Sequence, residues 1–447
     1  MRDVVVVAII LAAVPICFFR PYIGILLWVW VAYFNPHRYC YGFAYSFPVA
    51  ITVAVPTLLG ILFSRDLNRR WLNWQSGMLL CFWAWTFFTY FNALHIPFFQ
   101  DHMLDAKAEL VRLSKILLMT FMMILVVTTK EKLRIVTLLT ALCFSFLAIK
   151  GTIFGALTGG QYRVWGPPDS FLEDNNSVGL AMNMAIPMMF YLARDEQNRW
   201  IRWALYGAVP CAILTVLLTY SRGGMLGLAA VLCAMALKSK YKFLGAFAVV
   251  TCALLVLTFA PAKWTDRMST LKHEGVDSSA QQRLVSWGTT WNFVQDYPIA
   301  GGGFETLPDP RVFQRYQSRP MPGGYISSGP HSIYFQVLGD HGFVGLAIYL
   351  ALLLSCLLGA WRLRRRTRGL PEMDWVEPYS NIVEASLVGF MVSGAFLGLA
   401  DFDLYFQVVA FVVLLKIIHR KEMMEAVHRL EESPREIVPE PLHVMAR

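Results

Sequence analysis

The sequence is short of charge. Lys and Arg number 39 and Asp and Glu 30, so charged residues make up 15% of the 447, against roughly 25% in a soluble domain. That scarcity excludes a disordered chain, a nucleic-acid-binding domain and a soluble enzyme. Cysteine motifs are missing too. All of the 8 cysteines except Cys40 lie in apolar runs, and no CxxC or CxxH occurs. A disulfide framework and a zinc site are thereby excluded, and the cysteines read as small buried hydrophobes. There is no P-loop, GxGxxG or HExxH, so nothing points to ATP- or cofactor-driven chemistry, and no cofactor is expected. No internal repeat or low-complexity tract is visible.

Apolar residues, by contrast, are abundant: 56% of the chain before its 31 glycines are counted, where soluble proteins reach roughly 45–50% with glycine included. This is the composition of an all-α polytopic membrane protein. Apolar runs fall near 4–19, 22–34, 48–63, 72–91, 113–128, 133–157, 178–192, 201–219, 223–237, 243–260, 331–360, 381–399 and 402–418. Between them, basic loops (Arg65/Arg69/Arg70, Lys130/Lys132/Arg134, Arg194/Arg199/Arg202, Lys238/Lys240/Lys242, Arg362 to Arg368) alternate with loops poor in positive charge or long: 158–177, 220–222, 261–330 and 400–401. The positive-inside rule puts the first set in the cytoplasm and the second on the periplasmic or extracellular side. The +9 net charge then reflects topology and implies no nucleic acid.

The runs 4–19 and 22–34 are interrupted by Arg20-Pro21. If both cross, there are 13 spans with the amino terminus outside. If they make one crossing plus an interfacial piece, there are about 12 transmembrane helices with the terminus inside, which is the preferred reading. The start of the chain lacks a small-residue cleavage site and reads as a retained anchor. The organisation expected is amino-terminal spans over 1–160, a catalytic core over 161–360 with one long periplasmic loop at 261–330, further spans over 361–418, and a cytoplasmic tail over 419–447. That tail carries Pro434, Pro439 and Pro441 and reads as a short helix with a disordered end. A loop as long as 261–330 is usually functional.

Four constellations are expected on the outer side: Tyr162-Arg163-Val164-Trp165 running on to Glu173-Asp174-Asn175-Asn176; Thr219-Tyr220-Ser221-Arg222-Gly223-Gly224; Gln281-Gln282-Arg283 with Trp287, Trp291, Asp296-Tyr297-Pro298 and Gly301-Gly302-Gly303; and His331-Ser332-Ile333-Tyr334-Phe335-Gln336 leading to Asp340-His341-Gly342. A bland account of Arg222 is a snorkelling anchor, but cations are disfavoured outside and the glycines leave the backbone open, so anion binding is favoured. Arg283 with Trp287 and Trp291 fits an interfacial anchor. Paired with Arg222 it fits a guanidinium clamp on a diphosphate. Arg163 is a weaker third member. His331, just past Pro330 at a helix start, can accept a proton at the water boundary. His341 lies deeper on another face, so the two are not expected to share a metal. Asp401-Phe402-Asp403 reads as a turn with an acidic edge.

As an ordered set, Ser221-Arg222-Gly223, Arg283 with its tryptophans, Asp296-Tyr297-Pro298 before Gly301-Gly302-Gly303-Phe304, and His331 to Gln336 leading to Gly342-Phe343-Val344-Gly345 resemble the O-antigen ligase and polymerase superfamily over residues 160–350. Ser332 stands where that family usually has asparagine. Asn35-Pro36-His37-Arg38 resembles the branch of O-glycosylation ligases associated with exosortase systems. The resemblance implies a GT-C-like glycosyltransferase of the inner membrane with its active site facing the periplasm. It implies transfer of a glycan from undecaprenyl diphosphate to lipid A–core oligosaccharide with inversion, without metal or nucleotide. Membrane lipid is the remaining partner. Carried over, His331 is the general base, and Arg222, Arg283 and more weakly Arg163 hold the diphosphate. An O-antigen polymerase and a protein O-oligosaccharyltransferase are the alternatives within the class. A transporter or flippase is the rival outside it, though transporters favour repeated halves and ionisable groups at the midplane.

Overall fold

A computed structural model of the protein describes residues 1–96, 99–239, 278–321 and 326–432. Helices are numbered in the order described: α1 Arg2–Phe19, α2 Pro21–Phe34, α3 Val49–Phe63, α4 Trp74–Ala93, α5 Phe99–Val126, α6 Lys130–Leu157, α7 Asn175–Asp195, α8 Arg199–Leu218, α9 Arg222–Lys238, α10 Ser278–Asp296, α11 Pro310–Tyr316, α12 Ile333–Thr367, α13 Val376–Gly394 and α14 Asp403–Glu432. No strand occurs among the described residues. Arg2–Phe19, Lys130–Leu157, Arg199–Leu218 and Ile333–Thr367 are each long and apolar enough to cross a membrane, and Pro21–Phe34 and Val49–Phe63 are shorter apolar helices. Among the described residues the protein is all-helical, and these helices are consistent with a membrane protein.

Apolarity alone does not decide which helices lie inside, because lipid covers an apolar face as protein does. The inner helices carry polar side chains that need protein partners: α7, α13 and the first half of α14 are buried along almost every residue, and Asn183, Ser386 and Gln407 on them donate to Ser393 Oγ, the Met184 carbonyl and Thr140 Oγ1. The peripheral α1, α3 and α8 leave Val4, Ile9, Leu62 and Leu214 exposed. Trp200 and Trp203, also exposed at the start of α8, stand where interfacial tryptophans usually sit.

The basic loops gather at one end of the bundle. Lys132 pairs with Asp66 at 2.6 Å, Lys130 with Glu422 at 3.2 Å, and Arg134 with Glu196. Lys238 and Arg364 share Glu384 at 2.8 and 3.2 Å. The opposite end collects the 158–174 loop, the 219–222 turn, α10, α11 and the 395–402 loop. The α1–α2 pair runs differently from the preferred single crossing with an internal terminus. Asp3 accepts from the Gly42 and Ala44 amides at 2.9 and 3.2 Å, and Tyr45 donates to Asp169 of the 158–174 loop. At the other end of the hairpin, the Tyr22 hydroxyl donates to the Lys132 carbonyl at 2.9 Å. The two helices therefore form a hairpin whose turn lies at the basic end, and the amino terminus lies at the end opposite the basic loops. Pro21 starts α2 at its first position, where the missing N–H costs nothing, and so permits a tight hairpin instead of an interfacial piece.

Two further expectations shift. The run at 113–128 is the second half of α5, whose first half extends back to Phe99 with Asp101, His102, Asp105, Glu109 and Arg112. The 261–330 segment, where described, is not simply a loop: it holds α10, packed against α12, and α11, packed against α10. Cys40, expected in an accessible loop, is buried. The run at 243–260, with Cys252, and residues Lys240, Lys242 and Trp264 lie outside the described residues, as do the tail prolines.

The packing of α10 rests on a broken helix. Inside α12, Gly342 has φ 68° and ψ −172°, which frees backbone groups that must find other partners in a low-dielectric interior. They do. Gly302 and Gly303 amides donate to the Gly339 and Asp340 carbonyls at 2.8 and 2.9 Å, the Trp85 indole to the His341 carbonyl at 2.9 Å, and the Phe343 amide to the Pro298 carbonyl at 2.8 Å. The glycine run is thus a splint for the kink. A Cβ at Gly301 would meet the Gly339 oxygen at 2.5 Å, and one at Gly342 the Ile299 oxygen at 2.3 Å.

Candidate active site

The Ser221-Arg222-Gly223 turn is built from its own residues first. Ser221 caps α9, its hydroxyl accepting from the Gly224 amide at 3.0 Å, as a serine N-cap does. Tyr220 enters the turn with φ 58°, and its hydroxyl donates to the Gly160 carbonyl. Asn175 donates to the Thr219 carbonyl at 2.7 Å, and Asn183 to the Gly224 carbonyl at 2.7 Å and Ser393 Oγ at 2.9 Å. Arg222, first residue of α9, is therefore held between α7 and α13. Arg163 comes close enough for its charge to act on the Tyr220 hydroxyl, one residue from Ser221.

His331 is positioned by its neighbours' commitments. Tyr334 donates to the Met391 carbonyl at 3.0 Å, Gln336 Oε1 accepts from the Ala400 amide at 3.0 Å, and Phe335 stacks on Trp287 with rings 4° from parallel at 5.2 Å. The Trp287 indole also donates to the Pro330 carbonyl at 2.7 Å. His331 itself has φ 45° and is exposed. A non-glycine residue in that conformation costs of order 1–3 kcal/mol and persists only where the surroundings enforce it.

The 395–400 loop after α13 joins these parts. A Cβ at Gly223 would stand 3.1 Å from Phe396 Cβ, and the Phe396 ring lies 6.4 Å from Trp287, one turn along α10 from Arg283. A Cβ at Gly398 would stand 3.6 Å from the His331 backbone nitrogen. Arg222, Arg283 and His331, far apart in sequence, thus border one loop. Burial lowers the His331 pKa from its ordinary value, the Arg283 charge lowers it further, and Asp174 opposes both. Asp174 is the N-cap of α7, accepting from the Asn176 and Ser177 amides at 2.7 and 3.2 Å.

The other marked residues serve the frame. His341 is buried between Phe82 and Phe304, its Nδ1 2.8 Å from Thr89 Oγ1, well apart in role from His331. Asp296 accepts from Tyr316 at 2.7 Å, tying α11 to α10. Trp291 packs edge-on to Phe343. Asp401 pairs with Arg112 of α5. Among the described residues no group of three or more metal-ligating side chains comes together. Two contributors, Phe396 and Gly398, were not picked out by sequence reasoning, and Asp174 stood in the first outer-side constellation without a role. Asn183, a buried amide inside an apolar run, was the one visible signal, since polar residues there are rarely idle.

Residues 207–350 match the family model described as O-antigen ligase, a span that takes in Arg222, Arg283 and His331 but not Arg163. Residues 1–197 match a family of unknown function. No curated protein matches the chain. Over residues 207–350 the chain is thus similar to the O-antigen ligase family, which supports the resemblance to the O-antigen ligase-like superfamily for that part of the sequence.

Proposed function

We propose that the protein transfers a glycan from undecaprenyl diphosphate to the lipid A–core oligosaccharide of lipopolysaccharide, at the outer face of the bacterial inner membrane. The convergence of Arg222, Arg283 and His331 on the 395–400 loop carries this reading. His331 takes the proton of the acceptor hydroxyl. The freed oxygen attacks the anomeric carbon from the face opposite the diphosphate, one bond forms as the other breaks, and the configuration inverts. The departing diphosphate collects charge, and two guanidiniums present forked donors to it. Arg163, beside Tyr220, supports the same charge more weakly. A base whose pKa is lowered is neutral, and so ready to accept, across the neutral range.

The deciding experiment is reconstitution of the purified protein with lipid-linked O-antigen and rough lipopolysaccharide, scored as a ladder on a gel. Ladder growth on the core supports the ligase. Growth of free lipid-linked polymer supports the polymerase, and label on a protein supports O-oligosaccharyl transfer. No product with any acceptor defeats the reading. Activity is expected to survive excess EDTA, since arginines meet the leaving-group charge. Loss on chelation with rescue by Mg²⁺ or Mn²⁺ would return a metal to the mechanism.

A further inference from the structure

At the basic end of the bundle two adjoining cavities, of about 640 and 810 Å³, meet at Lys416. The first is walled on one side by Trp74, Ala351, Leu354 and Leu358, and on the other by Arg362, Arg366, Lys416 and His419. The second adds Arg69, Arg70, Arg420 and Lys421, with Asp66, which pairs with Lys132, and Glu425 on the same lining. The apolar wall of the first cavity faces outward: Trp74, Leu354 and Leu358 are 65%, 52% and 46% exposed.

The arginine tract that ends α12 divides its labour. Arg364 pairs with Glu384, and Arg365 lies 4.8 Å over the Trp361 ring. Arg362 and Arg366, four residues apart and so on one helix face, line the cavity. Lys416 is aimed beforehand: its ammonium donates to Gln75 Oε1 at 2.7 Å, and the buried Gln75 amide is oriented by donating to the Ser355 carbonyl at 2.9 Å. Gly359 makes room for this, since a Cβ there would meet both Gln75 Nε2 and Lys416 Nζ at 3.2 Å. Arg362 and Arg366 act on Lys416 as like charges. Among the described residues, no carboxylate lies within ion-pairing distance of these three cations.

A cleft half apolar and half cationic, at the end of spanning helices, is complementary to an anion attached to hydrocarbon. A soluble anion would leave the apolar wall bare, and a zwitterionic headgroup would bring its own cation among three others. We propose that this cleft binds an anionic glycerophospholipid of the adjoining leaflet. Its phosphate sits among Arg362, Arg366 and Lys416, and its acyl chains lie along Leu354, Leu358 and Trp74. The lipid then bridges α4, α12 and α14, and His331 lies just before the far end of α12. The inference is independent of the glycan-transfer reading.

Native mass spectrometry of the full-length protein in detergent tests it, with phosphatidylglycerol, phosphatidylcholine and inorganic phosphate as probes. Retention of phosphatidylglycerol is expected to exceed that of phosphatidylcholine about tenfold. It should fall about tenfold in Arg362→Gln/Arg366→Gln and largely return in Arg362→Lys/Arg366→Lys. Inorganic phosphate should not displace it. Equal retention of both lipids, undiminished retention in the glutamine variant, or displacement by phosphate at the lipid's own concentration would overturn the proposal. Should the glutamine variant fail to fold, the wild type decides: its Tm should rise more with phosphatidylglycerol than with phosphatidylcholine, and equal shifts overturn the site.

Discussion

His331 is exposed, held at φ 45°, and set between the opposed charges of Arg283 and Asp174. Replacing it by alanine removes a proton acceptor without opening the core, so His331→Ala should lower transfer by about 10²–10⁴-fold while leaving expression and Tm unchanged. A ladder of wild-type intensity would remove the base assignment. Its acid limb is also predictable. Because the folded pKa is lowered, the neutral base persists below pH 6.5, and kcat/KM should fall only at pH values under that. Asp174 raises the His331 pKa, so Asp174→Asn, which still caps a helix, should move the limb to still lower pH. A shift in the opposite direction contradicts the geometry. At Arg222 and Arg283 lysine preserves charge but not the fork. Each Arg→Lys should keep a little activity and each Arg→Ala almost none, with weaker binding of a lipid diphosphate analogue. Alanine variants that bind the analogue normally would make both residues anchors only.

At the scale of elements, the kink in α12 and its glycine splint set where α10 lies, and α10 carries Arg283 and Trp287. Gly342→Ala places a Cβ 2.3 Å from the Ile299 oxygen at a left-handed φ. The conformation alone costs about 1–3 kcal/mol, and the clash adds to it. Thermal unfolding in detergent should show a lower Tm, and transfer should fall although no active-site residue changes. A Gly342→Ala protein as stable and active as wild type would mean the splint is dispensable. The apolar runs were legible because hydrophobicity and length reveal a spanning helix locally. The amphipathic first half of α5 and the helices inside 261–330 were not legible, because they are too polar to mark themselves and owe their place to contacts with α12 and α11.

For the whole molecule, the placement of the site depends on orientation. Charged loops separate cleanly: those rich in Lys and Arg pair at one end, and Arg222, Arg283 and His331 lie at the other. A single cysteine at Ser318, exposed at the site's end, should react with a membrane-impermeant thiol reagent in cells with a permeabilised outer membrane. One at Arg368, also exposed, should react only after the inner membrane is broken. Cys81 and Cys233 are the exposed native cysteines among the described residues, and they should be replaced first. Labelling in the reverse pattern would invert the protein and part the site from a flipped donor.

Composition by itself determined that this chain belongs in a membrane, and charge alternation divided its loops into two sets, because both effects act residue by residue against solvent and lipid. Motif order was enough to single out Arg222, Arg283 and His331. Only the tertiary structure decided that α1 and α2 form a hairpin with the amino terminus at the end opposite the basic loops, since Asp3 and Tyr45 meet partners distant in sequence. It also decided that the glycine run braces a broken helix and that Phe396 and Gly398 draw the three residues around one loop. Those facts depend on which backbones approach within a few ångströms, and no local pattern of hydrophobicity or charge encodes that.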